Sequence, residues 1–274
     1  MRIPIPELDE HYNCSEDAIA QLINVCRVIV DKAKEVYPVP SISDMAGYIL
    51  EFCHKLLIQT TTLICVARKR EDYNTLCALV RILADNIATL NLVYCAKDEE
   101  ERILRHLLYV LDGISARYNM LNGRPMEYNG TIPRETYEEL YHQVLSAKEN
   151  AIECIMYCET TIRKSPYYSA KKGAFEKLIR DKNWKFKTFD KPERKEAYTW
   201  KEMYGLTGIK LADEMFPFLS QYIHGLSVSN IALDDKDDFD APLSFAYCLL
   251  YWLFEFLCKI YEPLVKDYIY ERTS

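Results

Sequence analysis

Between Tyr73 and Ala96, Arg81 and Asp85 are the only Asp, Glu, Lys, Arg or His side chains. They stand at i and i+4, so on a helix both point to one face. That face also presents Ala78, Ala88 and Leu92, so it reads as buried. A buried guanidinium is costly unless paired. The pair is therefore either an internal ion pair that holds helix register or a cation presented to a phosphate. A second candidate is Ser220-Gln221-Tyr222-Ile223-His224-Gly225. Ser220 and His224 again share a face, near a helix end that Gly225 terminates, where the dipole favours an imidazolium. No strand–turn–helix elbow accompanies the serine, so a hydrolase nucleophile is not expected.

Two further patterns could do chemistry. The segment Arg163 to Lys201 holds thirteen Lys/Arg against five Asp/Glu and leaves the rest of the chain acidic. Lys171, Lys172, Arg180, Lys182, Lys185 and Lys187 lie close together with Trp184 and Phe186 among them. Clustered cations neutralise phosphates and exposed rings stack on bases, so these residues are the nucleic-acid-binding candidates. The other reading is a solvated flap whose rings pack on the helices. Glu51-x-x-His54 and Glu139-x-x-His142 match the spacing of di-iron carboxylate bundles. Helical phase opposes this: Leu140, Tyr141, Val144, Ala151 and Ile155 share one side and Glu139 and His142 fall opposite, towards solvent. No metal and no other cofactor is expected. The acidic loop Asp234 to Asp240 lacks the Gly and terminal Glu of a calcium loop, and no glycine-rich phosphate loop occurs.

Leu79-Val80-Arg81-Ile82-Leu83-Ala84-Asp85-Asn86 resembles the Arg-x-x-x-Glu helix of a family of uncharacterised bacterial all-α proteins, known only as a domain of unknown function. Tyr204-Gly205 through Leu219-Ser220-Gln221-Tyr222-Ile223-His224-Gly225 resembles that family's Tyr-x-x-Leu-Ser-x-x-x-His ending. The resemblance runs from Asp44 to Leu257, and the chain departs from it in carrying Asp85 in place of Glu. The family is in turn similar to the HEPN class of helical bundles, many of them ribonucleases of toxins and phage defence. Their signature, Arg then four to six residues then His on one helix, is absent; Arg102 and His106 are one residue too close. The resemblance thus implies a composite site of Arg81, Asp85, Ser220, Tyr222 and His224. In it His224 would be the general acid/base, and Arg81 would stabilise the charged phosphorane.

These candidates need long helices to carry them, and the sequence specifies such helices. Eight glycines and eleven prolines in 274 residues are too few for the many turns of an all-β protein. With 49% hydrophobic and 27% charged residues the chain is neither disordered nor of low complexity. The expected fold is an all-α bundle of long antiparallel helices. Asn13-x-x-Glu16 and Ser15 offer caps for the first, which ends near Tyr37; Ser41-x-x-Asp44 opens the second, to about Arg68. Asp72 opens the third, to about Ala96, and Asp98 the fourth, stopped by Asn122-Gly123. Thr131 and Pro133 start a fifth, to about Lys164. A helix from about Thr207 through Gly225 bends near Pro217, and an apolar C-terminal helix follows the acidic loop. The third and last helices are expected to be the most buried. The organisation read here is one domain over 1–274 with 163–201 as a basic insert.

Ten cysteines without paired spacing behave as core hydrophobes of a reducing compartment. The start, Met1-Arg2-Ile3-Pro4-Ile5-Pro6-Glu7, has no apolar signal-peptide core. Leu243 to Leu257 is very apolar but is bounded by Pro242 and Lys259 and broken by Glu255, short of the run of about 20 a span needs. The expectation is accordingly a cytoplasmic protein with no membrane span, forming a homodimer. Its leading function is to engage RNA or a nucleotide-like phosphate ligand, as a HEPN-like ribonuclease with the insert as a flap. The rival is a non-catalytic interaction or scaffold protein, and the third reading is a metal-dependent bundle enzyme.

Overall fold

The computed structural model describes residues 15–123, 127–223 and 239–265, and among them lie ten α-helices and no strand. The expected all-α class is what the chain adopts. Capping residues set most starts. Ser15 accepts from the Ala18 amide to open α1 (Glu16–Val36), and Asp44 accepts from Ala46 to open α2 (Met45–Lys69). Asp72 accepts the Thr75 amide at 2.9 Å ahead of α3 (Tyr73–Tyr94). Asp98 accepts the Glu101 amide at 2.9 Å ahead of α4 (Glu99–Asn122). These side chains satisfy first-turn N–H groups that have no partner inside the helix. Pro133 precedes α5 (Arg134–Arg163), the longest helix at 30 residues.

Within the basic segment, α6 (Lys172–Asp181) ends at Lys182 in the left-handed conformation (φ 48°). Thr199 and Glu202 form a reciprocal capping box at the start of α7 (Trp200–Leu206). The helix expected from about Thr207 begins instead at Ala212, as α8 (Ala212–Ile223). Gly208 and Leu211 both take positive φ and break the chain there, while Pro217 is accommodated inside the helix. The apolar α9 (Asp240–Ile260) and the short α10 (Glu262–Val265) follow.

The chain divides into two compact units. The first comprises the described residues up to Leu92 and from Thr199 onward; the second runs from Val93 to Tyr198. In the first unit α1 packs on α2 and on α9, and α7 packs on α8. Its core is aliphatic, with Ile19, Leu22, Leu50, Leu57, Leu76, Val80, Leu250 and Leu253 all essentially inaccessible. In the second unit α4 packs on α5, and α5 contacts α6. The basic segment, up to Tyr198, therefore folds with α4 and α5.

The expectations of no membrane span and of a cytoplasmic place do not stand. Three helices, α2, α3 and α9, are long and apolar enough to cross a membrane, with mean hydropathy of 1.4, 1.6 and 1.5 over their 18-residue windows. The error came from measuring one uninterrupted apolar run. A spanning helix tolerates an isolated charge, and α2 and α3 reach the threshold as averages although neither shows an unbroken run. Between 44 and 67% of each window is buried inside the protein.

Leu250 has no exposed surface, so Leu250→Ala should cost about 2–5 kcal/mol. Asp98→Ala, which removes only a cap, should cost about 1 kcal/mol. Urea unfolding followed by circular dichroism measures both; equal losses would contradict the placement of α9 at the centre of its unit.

Candidate functional site

Arg81 is only 7% exposed, although its helix supplies a single carboxylate. Its Nε donates to Asp85 Oδ1 at 2.9 Å, as the i, i+4 spacing requires. Its Nη1 donates to the Phe216 carbonyl at 3.1 Å and to Ser220 Oγ at 2.5 Å. Ser220 in turn donates to the same Phe216 carbonyl at 2.7 Å. The guanidinium carbon lies 4.1 Å from the Phe216 ring centroid and 5.3 Å from that of Tyr204. Those two rings meet edge to face, and Tyr204 donates its hydroxyl to Asp85 at 2.9 Å. Burial, with the Asp85 charge beside it, pushes the Tyr204 phenol well above its ordinary value, so it acts as a donor.

α3, α7 and α8 thus meet around one cation. Arg81, Asp85 and Ser220, singled out from the sequence, do come together, and Tyr204 and Phe216 complete the cluster. Tyr222 belongs to another group, edge-on to Tyr73 at 5.2 Å and to Phe218 at 5.3 Å. His224 lies outside the described residues. Among the described residues Arg81 bonds a carboxylate, a carbonyl and a hydroxyl and lies on two ring faces, which ties α8 to α3.

The basic segment is arranged by a second buried arginine that the sequence did not bring forward. Arg105, on α4, bonds Glu101 one turn away at 2.8 Å through Nε. Its Nη1 and Nη2 donate to the carbonyls of Trp184 and Phe186 at 2.9 and 3.0 Å. Its guanidinium carbon sits 4.1 Å from the Phe186 ring centroid. Burial lowers its pKa from the ordinary value, with Glu101 opposing. Phe175, Trp184 and Phe186 are buried, and Phe189 stacks on Phe175. The rings form a core, which leaves no row of exposed faces for bases to stack on.

Among the candidate cations, Lys171, Lys172, Arg180 and Lys187 are exposed and Lys182 and Lys185 are half-buried. Lys171 lies over Phe189, Lys185 over Trp184 and Lys187 over Tyr198. Much of the remaining positive charge is paired: Arg163 with Glu176 and Glu159, Lys177 with Glu193, Arg180 with Asp181 and Arg194 with Asp112. Arg180 and Lys182 line a cavity of about 370 Å³ against α4.

Other chemistry finds little support in this geometry. Glu51 and His54 face each other at 4.0 Å, Glu139 and His142 are exposed, and no three His, Cys, Asp or Glu among the described residues are placed to hold a metal. Burial raises the Cys26 and Cys53 thiols and lifts that of Cys158 to about 12, so these are protonated core groups and not nucleophiles. On α5, Leu140 and Tyr141 were expected to face inward, yet both are exposed. Helical phase identified the apolar side correctly but not whether anything covers it.

The chain matches no family model, no curated protein and no solved structure. The family resemblance therefore rests on residues 79–86 and 204–225 alone.

Arg81→Met should cost about 3 kcal/mol or more, because Asp85 and the Phe216 carbonyl lose their donor. Tyr204→Phe should cost about 1 kcal/mol. Denaturant titration of both variants and of Arg81→Met/Asp85→Leu checks this, the double variant recovering part of the loss. Glu176 has its carboxyl pulled down to about 2 by Arg163 and then by Tyr168. A depressed carboxylate stabilises the fold above its unfolded value and loses that contribution as pH falls through the folded one. The second unit should therefore weaken between about pH 4.5 and about 2, and Glu176→Gln should flatten that part of the acid-unfolding curve.

Proposed function

We propose that this is a non-catalytic interaction protein that docks a basic amphipathic helix of a partner protein on the outer face of α5. Tyr141, Leu145, Ile152 and Met156 carry the reading: they are between 37 and 63% exposed and form one stripe. At 100° per residue they fall within about 60° of arc, and at 1.5 Å per residue they span roughly 22 Å. An apolar face of this length suits side-by-side packing of an amphipathic partner helix. Isolated apolar surface residues need no explanation, whereas a contiguous stripe does.

The charge around the stripe selects the partner. α5 carries six glutamates against three basic residues. Glu149 and Glu153 border the stripe, exposed and without an ion-pair partner among the described residues. At the N-terminal end Tyr128, Tyr137 and Tyr141 follow one another with ring centroids 5.2 and 6.1 Å apart, a rigid aromatic extension of the same surface. Arg81 uses Nε and Nη1 on Asp85, Phe216 and Ser220, contacts that a tie between helices accounts for.

A synthetic 18-residue Leu/Lys amphipathic peptide and its Leu/Glu counterpart probe the face. The Leu/Lys peptide should bind at least about tenfold more tightly by fluorescence anisotropy, and Ile152→Glu/Met156→Glu should abolish the difference without changing the circular dichroism. Equal binding to wild type and double variant would refute the docking face. RNA cleavage by the purified chain, lost in an Arg81 variant that remains folded, would restore a catalytic reading.

A further inference from the structure

Hydrogen-bond donors are left over on one wall of the second unit. The cavity of about 370 Å³ is lined from α4 by Asp112, Ser115, Ala116 and Asn119, and from the basic segment by Arg180, Asp181, Lys182 and Arg194. Its volume is in the range of small-ligand sites. Its two carboxylates are already engaged. Asp112 accepts from Arg194 at 2.9 Å through one oxygen and from Trp184 Nε1 at 3.3 Å through the other. Asp181 accepts from Arg180 Nε at 3.0 Å, and its carbonyl takes Arg194 Nε at 2.7 Å.

These contacts fix both arginines while using only part of their donor capacity. The Lys182 amine and the Asn119 amide have no hydrogen-bond partner among the described residues. The Ser115 hydroxyl, the one buried side-chain polar atom among the described residues with no partner, is closed off from the cavity and is not one of these donors. The left-handed turn at Lys182 ends α6 at this wall, and the lysine lines the cavity together with Arg180 and Arg194.

We infer that this cavity binds the phosphate group of a small phosphomonoester, with Lys182 as its main cation, Arg180 and Arg194 as held guanidinium donors, and Asn119 as a neutral donor. Three cations and an amide suit a dianionic group with three acceptor oxygens. The three cations outnumber the two carboxylates of the lining, each of which already accepts from an arginine, and this disfavours a cationic guest. The rest of the volume takes the remainder of the ligand. The cavity belongs to the second unit alone and needs nothing from the helix-docking face of α5.

Calorimetric titration of the full chain with inorganic phosphate, phenyl phosphate and phenol tests the site. Phenyl phosphate should bind saturably and phenol not at all; inorganic phosphate matching phenyl phosphate would identify the free ion as the guest. A 5′-phosphorylated oligoribonucleotide that binds much better than its 5′-hydroxyl form and than phenyl phosphate would place the same group on an RNA end. Lys182→Gln should weaken phosphate binding at least about tenfold. Asn119→Ala should weaken it about threefold or more, whereas Ser115→Ala, which removes a hydroxyl closed off from the cavity, should leave affinity unchanged. The inference is overturned if none of the phosphates binds, if phenol binds as well as phenyl phosphate, or if both Lys182→Gln and Asn119→Ala keep wild-type affinity.

Discussion

A guanidinium buried on a phenylalanine ring, neutralised by a carboxylate one helical turn away, is the device on which both units depend. Arg81 does this with Asp85 and the Phe216 ring, Arg105 with Glu101 and the Phe186 ring. In each case a further N–H group reaches a carbonyl oxygen far along the chain: Nη1 of Arg81 that of Phe216, and Nη1 and Nη2 of Arg105 those of Trp184 and Phe186. Apolar packing could fill the same volumes without loss of stability. What the cations add is register. A leucine tolerates a sliding neighbour, whereas an arginine with fixed acceptors is satisfied in one placement only.

The same device explains how an arginine and an aspartate sit in a helix as apolar as α3. Average hydropathy makes α3 acceptable to lipid and to a protein core alike. Here α7 and α8 supply the groups that Arg81 needs, and the ring faces of Tyr204 and Phe216 exclude water from it. The guanidinium is covered within the first unit, while Asp85 keeps 33% of its side chain exposed.

How much could be read beforehand followed from what each signal encodes. Caps are local chemistry, so Ser15 and Asp98 marked their helices correctly, while in Ser41-x-x-Asp44 the aspartate and not the serine is the cap. The Arg81–Asp85 pair was legible because helical spacing fixes it. Its backbone acceptor was not, since a carbonyl such as that of Phe216 has no sequence signature. Arg105 was overlooked among the many charges of the first half of α4, although the leucines around it share its buried face. Tyr141 shows the limit of periodicity: it names an apolar side but not its cover. The membrane question failed differently, through the choice of an unbroken run over an average.

The first unit is discontinuous in sequence, and its central clamp spans 135 positions from Arg81 to Phe216. On a ribosome adding about 5–20 residues per second, α3 waits on the order of 10 s before its acceptors are synthesised. During that interval the second unit can finish folding, while three greasy helix segments' worth of nascent chain begins with two exposed ones and a bare charge. Such a chain is a natural client for holdase chaperones, and its vulnerable period is set by translation speed.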